Sequence, residues 1–223
     1  MGMSVRLVVA TGRYGGRVEI TSAGMRAFVD ESSCVRTISS QEYLIGAAIV
    51  TAGDCEALRE ELQTLLLPGQ IKPHWTDESD RRRRTITQAI ADLGSMHVVV
   101  AHLSGRNRKT ERYRRKCLET LYYELGEADV LDVTLECRSD TQDKRDRAHI
   151  VSLQNKGWCP GMRINHRRGG DDPLLWIPDA VLGAVNASYF GESVYLDMLR
   201  DSILIEKRTP ESLLLGSEQN ERP

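Results

Sequence analysis

From residue 96 onward the chain alternates short strand-like segments with longer helix-like ones, and this alternation restricts its fold more than any other feature. MHVVVAHLS at 96–104 reads as a strand. Residues 110–125 read as an amphipathic helix, with Tyr113, Cys117, Leu118, Leu121, Tyr122 and Leu125 on one stripe. VLDVTLECR at 130–138 alternates, placing Val133, Leu135 and Cys137 on one face and Asp132, Thr134 and Glu136 on the other. A helix over 143–155, the short strand MRINHRR and an apolar helix opening near Pro178 complete the series. Strands separated by helices pair in parallel through right-handed crossovers.

The upstream half behaves differently. Residues 26–30 and the apolar segment 43–52 form a candidate hairpin around the loop SSCVRTISS. Asp54 stands at the N-cap of a helix over 55–67 that Pro68 and Gly69 stop, and a second helix over 79–93 ends at Gly94. The predicted fold is an α/β mixed sheet, an antiparallel hairpin followed by parallel strands, with helices on both faces.

The length of 223 residues suits one domain, assigned to 25–206, with 1–24 as a disordered or non-native extension and 207–223 as a flexible tail. No apolar run reaches the roughly 20 residues of a membrane span. The five cysteines are widely spaced and include no CxxC pair, so neither a disulfide framework nor a zinc site is suggested, and a cytoplasmic protein is expected. Walker, dinucleotide-binding, GxSxG and HExxH signatures are absent.

Charge is unevenly distributed. The net charge is only -2, yet residues 78–116 carry eleven Arg or Lys against four acids. Arg81, Arg82, Arg84, Arg108, Lys109, Arg112 and Arg115 are the candidate phosphate contacts in this region, pointing to RNA or DNA as a partner; a solubilising surface is the alternative. Arg114 falls instead on the apolar stripe of its helix, where a guanidinium demands a carboxylate partner, the acids considered next among the candidates.

Three acids sit where elements meet. Asp30 follows RAFV, Glu136 follows DVTL, and Asp179 lies in LLWIPDAV, a run too apolar for an ordinary exposed cap. Each also has a plain structural reading as a turn residue, a solvated strand face or a favourable charge at a helix start. Sites in parallel-strand architectures form beyond the carboxyl ends of strands, so the three can converge there and bind hard cations through oxygen, with magnesium or manganese expected. Two such ions can drive phosphodiester hydrolysis without a covalent intermediate. His74 and Glu78, in PHWTDES, are candidates to assist proton transfer, and His166 is a further candidate ligand or shuttle.

In order, these motifs are a strand ending in DES, an apolar second strand, a later strand ending in an acid, and a helix opening as PDAVLGAV. The set resembles the domain of unknown function 3800 family over about residues 25–195. That resemblance implies a ribonuclease H-like fold with Asp30, Glu136 and Asp179 as the carboxylate cluster of a two-metal nuclease. Two departures stand out. Ser33 occupies the place where the family commonly has glycine, and the family's central lysine-bearing segment is here IKPHWTDES, leaving its part to Lys72, His74 or Glu78. The expectation is a divalent-metal-dependent nuclease acting on RNA or DNA. The alternative is a non-catalytic nucleic-acid-binding or adaptor module on the same fold.

Overall fold

The computed structural model describes residues 24–106 and 110–213. The elements run β1 (Met25–Val35), β2 (Ser40–Thr51), α1 (Cys55–Gln63), α2 (Asp80–Asp92), β3 (Met96–Gly105), α3 (Thr110–Glu127), β4 (Asp132–Glu136), α4 (Asp140–Gln154), β5 (Arg163–Arg167), α5 (Trp176–Tyr189), α6 (Val194–Leu199) and β6 (Ile203–Arg208). They build one six-stranded sheet in the order β5-β4-β1-β2-β3-β6. β1, β2 and β3 are antiparallel neighbours. β4 pairs in parallel with β1, β5 with β4, and β6 with β3. This is the α/β mixed sheet expected from the sequence, with an antiparallel hairpin, parallel strands and helices on both faces.

Alternation along the strands assigns each face its helices. Ala27, Val29, Val98, Val133 and Leu135 pack with Leu118, Leu121, Tyr122 and Leu125 of α3 and Ile150 and Leu153 of α4. Phe28, Leu44, Ala48 and Val99 pack on the other side with Leu62 of α1, Ile86 and Ile90 of α2, Leu182 of α5, and Tyr195 and Leu199 of α6. Each Val, Leu, Ile or Phe side chain among them, fully buried, contributes about 1.5–3 kcal/mol. We call these the α3 face and the α5 face. β2, covered on both, is buried along nearly its whole length.

Four boundaries differ from expectation. β1 continues through the Ser-rich segment to Val35, because Glu31–Val35 pair with Gln41–Ile45 of β2, so only Arg36–Ser39 remain to turn. The turn is secured by Arg36, which pairs with Glu42 and donates to Asn186 Oδ1 at 2.8 Å; Asn186 in turn donates to Ser32 Oγ at 3.1 Å. α1 stops at Gln63, and the Asp54 side chain makes no cap hydrogen bond. α5 starts at Trp176, two residues before Pro178, which is tolerated because the first turn's N–H groups lack intrahelical acceptors. Finally, the expected tail is partly structured: Lys207 and Arg208 belong to β6, and the N–H groups of Thr209 and Leu213 donate to the carbonyls of Ala101 and Leu103. Residues 1–23 and 214–223 lie outside the described residues. Among the described residues, no helix is long and apolar enough to cross a membrane.

The basic segment is split by this topology. α2 packs on the α5 face and α3 on the opposite face, with β3 passing between them in the chain. The arginines of the two helices therefore do not form one surface, contrary to the expectation that they jointly track a backbone.

Candidate active site

Asp30 lies two residues beyond Phe28 on β1, and Glu136 two beyond Thr134 on β4, so both carboxylates emerge on the α5 face. The parallel register pairs Phe28 with Thr134 and Val29 with Leu135, which sets Asp30 beside Glu136 about one strand spacing, roughly 5 Å, away. Asp179 comes from the first turn of α5, the helix packed across β1 and β2. All three are half-buried.

The loop before α2 closes over them. Trp75 lies so tightly on α5 that a Cβ at Gly183 would come within 2.2 Å of its indole, and the Trp75 N–H donates to Asp179 Oδ2 at 3.1 Å. The same loop delivers Lys72, whose Nζ lies 2.7 Å from Glu136 Oε1; that oxygen also accepts from the Gly169 N–H at 3.2 Å. A Cβ at Gly169 would approach Glu136 Oε1 to 2.6 Å and Lys72 Nζ to 3.0 Å, so no larger residue fits there without moving the pair. Of Lys72, His74 and Glu78, Lys72 is thus the side chain that bonds to one of the three acids, a choice that the spacing of the motif could not make.

The electrostatics follow from this crowding. Burial, then the charges of Glu136 and Asp179, push Asp30 well above the usual carboxylate range against the pull of the Glu31 N–H and Lys72. Burial also raises Asp179, against the Trp75 N–H, His74 and Lys72. Burial works against the Lys72 ammonium, but its hydrogen bond to Glu136 and the charges of Glu136, Asp30 and Asp179 hold its proton more firmly than usual. Three carboxylates face one fixed cation. An all-oxygen donor set with surplus negative charge fits a hard divalent ion such as magnesium or manganese.

The other expected helpers divide. His74 is exposed and near enough to Asp179 to lower its pKa. Glu78 is a correction: it is buried with one oxygen accepting from Gln70 Nε2 at 2.7 Å and the other from Arg82 Nε at 3.1 Å, so it braces the loop and is not free for proton transfer. Arg82 is equally committed, since it also donates to the Leu65 carbonyl. Arg84 lies over the Tyr195 ring, and Arg81 is exposed. Arg112 pairs with Glu211 at 3.6 Å, and Arg115 is exposed on the α3 side. Arg108 and Lys109 lie outside the described residues.

His166 is a second correction. It pairs with Leu135 in the β4–β5 ladder and so shares the α3 face, away from Glu136. There it joins a charge network that sequence reasoning missed. Buried Arg114 pairs with Glu31 and Asp146. Arg138 adds bonds to Glu111 at 3.0 Å and Asp146 at 3.4 Å, and His166 Nε2 meets the other Asp146 oxygen at 3.2 Å. The Arg114 partners are therefore Glu31 and Asp146, and none of the three site acids.

Among the described residues, Asp143, Asp146 and His166 are the group whose ligand atoms all lie within 4.8 Å of one another. They do not fit a metal. Both Asp146 oxygens accept from cationic or imidazole donors, Asp143 Oδ1 accepts from the Arg138 N–H, and two guanidinium groups occupy the space where a cation's charge would fall. The hydrogen bond from His166, with the bond and charge of Arg114, outweighs the effect of burial and holds Asp146 below its ordinary range.

Beside the acids opens a cleft of ≈ 750 Å³. Its wall includes Phe28, Thr134 and Asn165, the row one step before Asp30 and Glu136, and it continues to Arg167, Arg168 and Arg147. The three acids do not themselves line it.

No family model matches the chain, and no curated protein matches it. Among solved structures it is similar to RNase HII of Archaeoglobus fulgidus, from the structure of its complex with PCNA, with a TM-score of 0.41 and 14% identity, covering 78% of this chain and 77% of that one. It is also similar to a point mutant of Bst-RNase HIII, with a TM-score of 0.40 and 12% identity, covering 86% of this chain and 60% of that one.

Proposed function

We propose that the protein is a divalent-metal-dependent nuclease that hydrolyses phosphodiester bonds in RNA or DNA, and that it belongs with the domain of unknown function 3800 family that its motifs resemble. The observation that carries the reading is the crowding of Asp30 from the middle of β1, Glu136 from the end of β4 and Asp179 from the first turn of α5, which with burial pushes Asp30 far up in pKa against the Glu31 N–H and a single cation, Lys72. Folding accepts that repulsion, and a cation-binding role accounts for it.

Asp30, Glu136 and Asp179 would hold magnesium or manganese, which when bound supplies an activated water and stabilises charge on the leaving oxygen. The chain's own part is positioning. Trp75 N–H orients Asp179, the Gly169 N–H and Lys72 orient Glu136, and Glu31 N–H fixes Asp30 through its Oδ1 at 2.7 Å. Lys72, cationic beside the cluster, also offers a charge to a phosphate oxygen, and exposed His74 is placed to move a proton to or from solvent.

Incubation of the purified protein with labelled single strands, duplexes and hybrids, in magnesium or manganese, tests the reading. Cleavage is expected to fall by about 10³-fold in Asp30→Asn and in Asp179→Asn, since losing several kcal/mol of charge stabilisation costs roughly a factor of ten per 1.4 kcal/mol. Equal activity in parent and variants would overturn it.

A further inference from the structure

The helices that cover the α5 face stop short of β5. Arg163, Asn165 and Arg167, the residues that β5 presents to that face, are all exposed, while Thr134 and Glu136 on β4 and Phe28 and Asp30 on β1 are half-buried or buried. β5 is also the outermost strand of the sheet, so among the described residues no further strand covers its flank. An open shelf therefore lies directly beside the acids.

The register places a charged residue on it. Glu136 pairs with Arg167, so Asp30, Glu136 and Arg167 occupy one row across β1, β4 and β5, each about 5 Å from the next. Arg168 follows immediately, next to Gly169, whose N–H binds Glu136. Three other cationic groups of the cleft are already neutralised: Arg59 grips Asp172 through two bonds of 2.9 Å, Arg26 meets Asp132 at 3.4 Å, and Arg138 is held by Glu111 and Asp146; Arg147, exposed at the far side of the cleft, meets His166 Nδ1 at 3.3 Å. Arg167 and Arg168 are exposed and pair with no carboxylate among the described residues. Asp140 and Asp171 also border the cleft, so its attraction for an anion is local to its exposed arginines, of which Arg167 and Arg168 stand next to the acids.

We propose that Arg167 and Arg168 bind the sugar-phosphate backbone of a nucleic-acid strand as it leaves the carboxylate site, and that this shelf, in place of the α2 and α3 arginines, is the substrate-binding surface. The inference rests on the nuclease reading for the identity of the ligand. A guanidinium fork suits a phosphodiester because it donates two parallel hydrogen bonds to its oxygens. The position suits it because a strand whose scissile phosphate sits at Asp30 and Glu136 meets Arg167 one strand spacing further on.

The test is fluorescence anisotropy of 5′-labelled 20-nucleotide single strands of DNA and of RNA, in EDTA, for the parent, an Arg167→Ala/Arg168→Ala double variant and an Arg81→Ala/Arg84→Ala double variant. The thermal midpoint of each variant confirms that it is folded. The first double variant is expected to bind about tenfold more weakly in moderate salt, with the slope of log K against log salt reduced by about 1–2, as for the loss of one or two phosphate contacts. The second is expected to match the parent. An unchanged affinity and slope in the Arg167/Arg168 variant, or a parent that shows no salt-dependent binding, overturns the inference. Since binding is read without divalent ions, a parent that binds through these arginines but never cleaves defeats only the nuclease reading. A parent that cleaves yet ignores the arginines defeats only the shelf.

Discussion

Asp30 and Glu31 leave β1 on opposite faces of the sheet, and their carboxylates meet opposite surroundings. On the α3 face Glu31 joins Arg114, Asp146, Arg138 and His166, where each carboxylate has a cationic or imidazole partner and the charges close on themselves. On the α5 face Asp30 joins Glu136 and Asp179, with Lys72 as the cation bonded to the group and exposed His74 near Asp179. Both clusters lie level with the middle of β1 and the end of β4, on the two sides of the sheet. One is complete as folded; the other is electrostatically unfinished. A cluster of acids therefore signals a site by its unbalanced charge and not by its tightness, since here the group whose ligand atoms lie within 4.8 Å of one another is the one already neutralised from within.

The contrast predicts different failures on the two faces. The largest effect on stability belongs to the α3 face. Asp146→Ala strips partners from Arg114, Arg138 and His166, and Arg114 is only 3% exposed. Chemical denaturation is expected to show a loss of about 3–5 kcal/mol, typical of breaking a buried ion network. A loss below 1 kcal/mol would mean that the network is not what holds α3 to α4.

A pH series gives an effect somewhat smaller. His97 is fully buried on the α5 face with neither ring nitrogen hydrogen-bonded among the described residues, and burial lowers its pKa from 6.5 to about 4. Between those values the unfolded chain binds a proton that the folded one refuses. The contribution is whole above pH 6.5 and is lost as pH falls toward 4, at about 1.4 kcal/mol per unit and roughly 3 kcal/mol in all. His102, lowered likewise by burial and by Lys116 and Arg112, acts in the same direction. Urea midpoints at pH 7 and pH 5 measure this, and His97→Leu should flatten the profile; identical midpoints in the parent would contradict it.

The smallest effect has the opposite sign. Asp30→Asn removes a charge from the repelling trio, so at neutral pH the thermal midpoint should rise by a few degrees, about 1 kcal/mol at this chain length. Magnesium or manganese should then raise the parent's midpoint through mass action and leave that of the variant nearly unmoved. A variant that melts below the parent, or that responds equally to the ion, would erase the distinction between the faces.

Much of this was legible in the chain, and the limits have physical causes. Alternation in VLDVTLE sets Glu136 opposite Val133 and Leu135, and the apolar company of Asp179 marks it as more than a cap. Arg114 could be read as buried and in need of an acid. Its partners could not be read, because Glu31 and Asp146 lie 83 and 32 residues away and meet it only through the packing of α3 and α4 against the sheet. His166 looked like a companion of the acids until the ladder set it level with Leu135, where a one-residue difference in register exchanges the faces. The basic run misled for a related reason: nearness along the chain says nothing about face when a strand intervenes. Arg167 and Arg168 went unnoticed because two arginines after a short strand carry no pattern, and only the uncovered flank of β5 gives them meaning.

The helix that supplies the third acid is fastened at both extremities. Near its start Asp179 accepts from the N–H of Trp75, whose indole lies against Gly183 at mid-helix; near its end Asn186 joins Arg36 of the hairpin turn and Ser32 of β1. A bar anchored twice cannot slide or roll on the sheet without breaking one fastening. The aim of Asp179 is in this way inherited from a turn at the far end of the hairpin, and damage there would be felt as misalignment of chemistry rather than as unfolding.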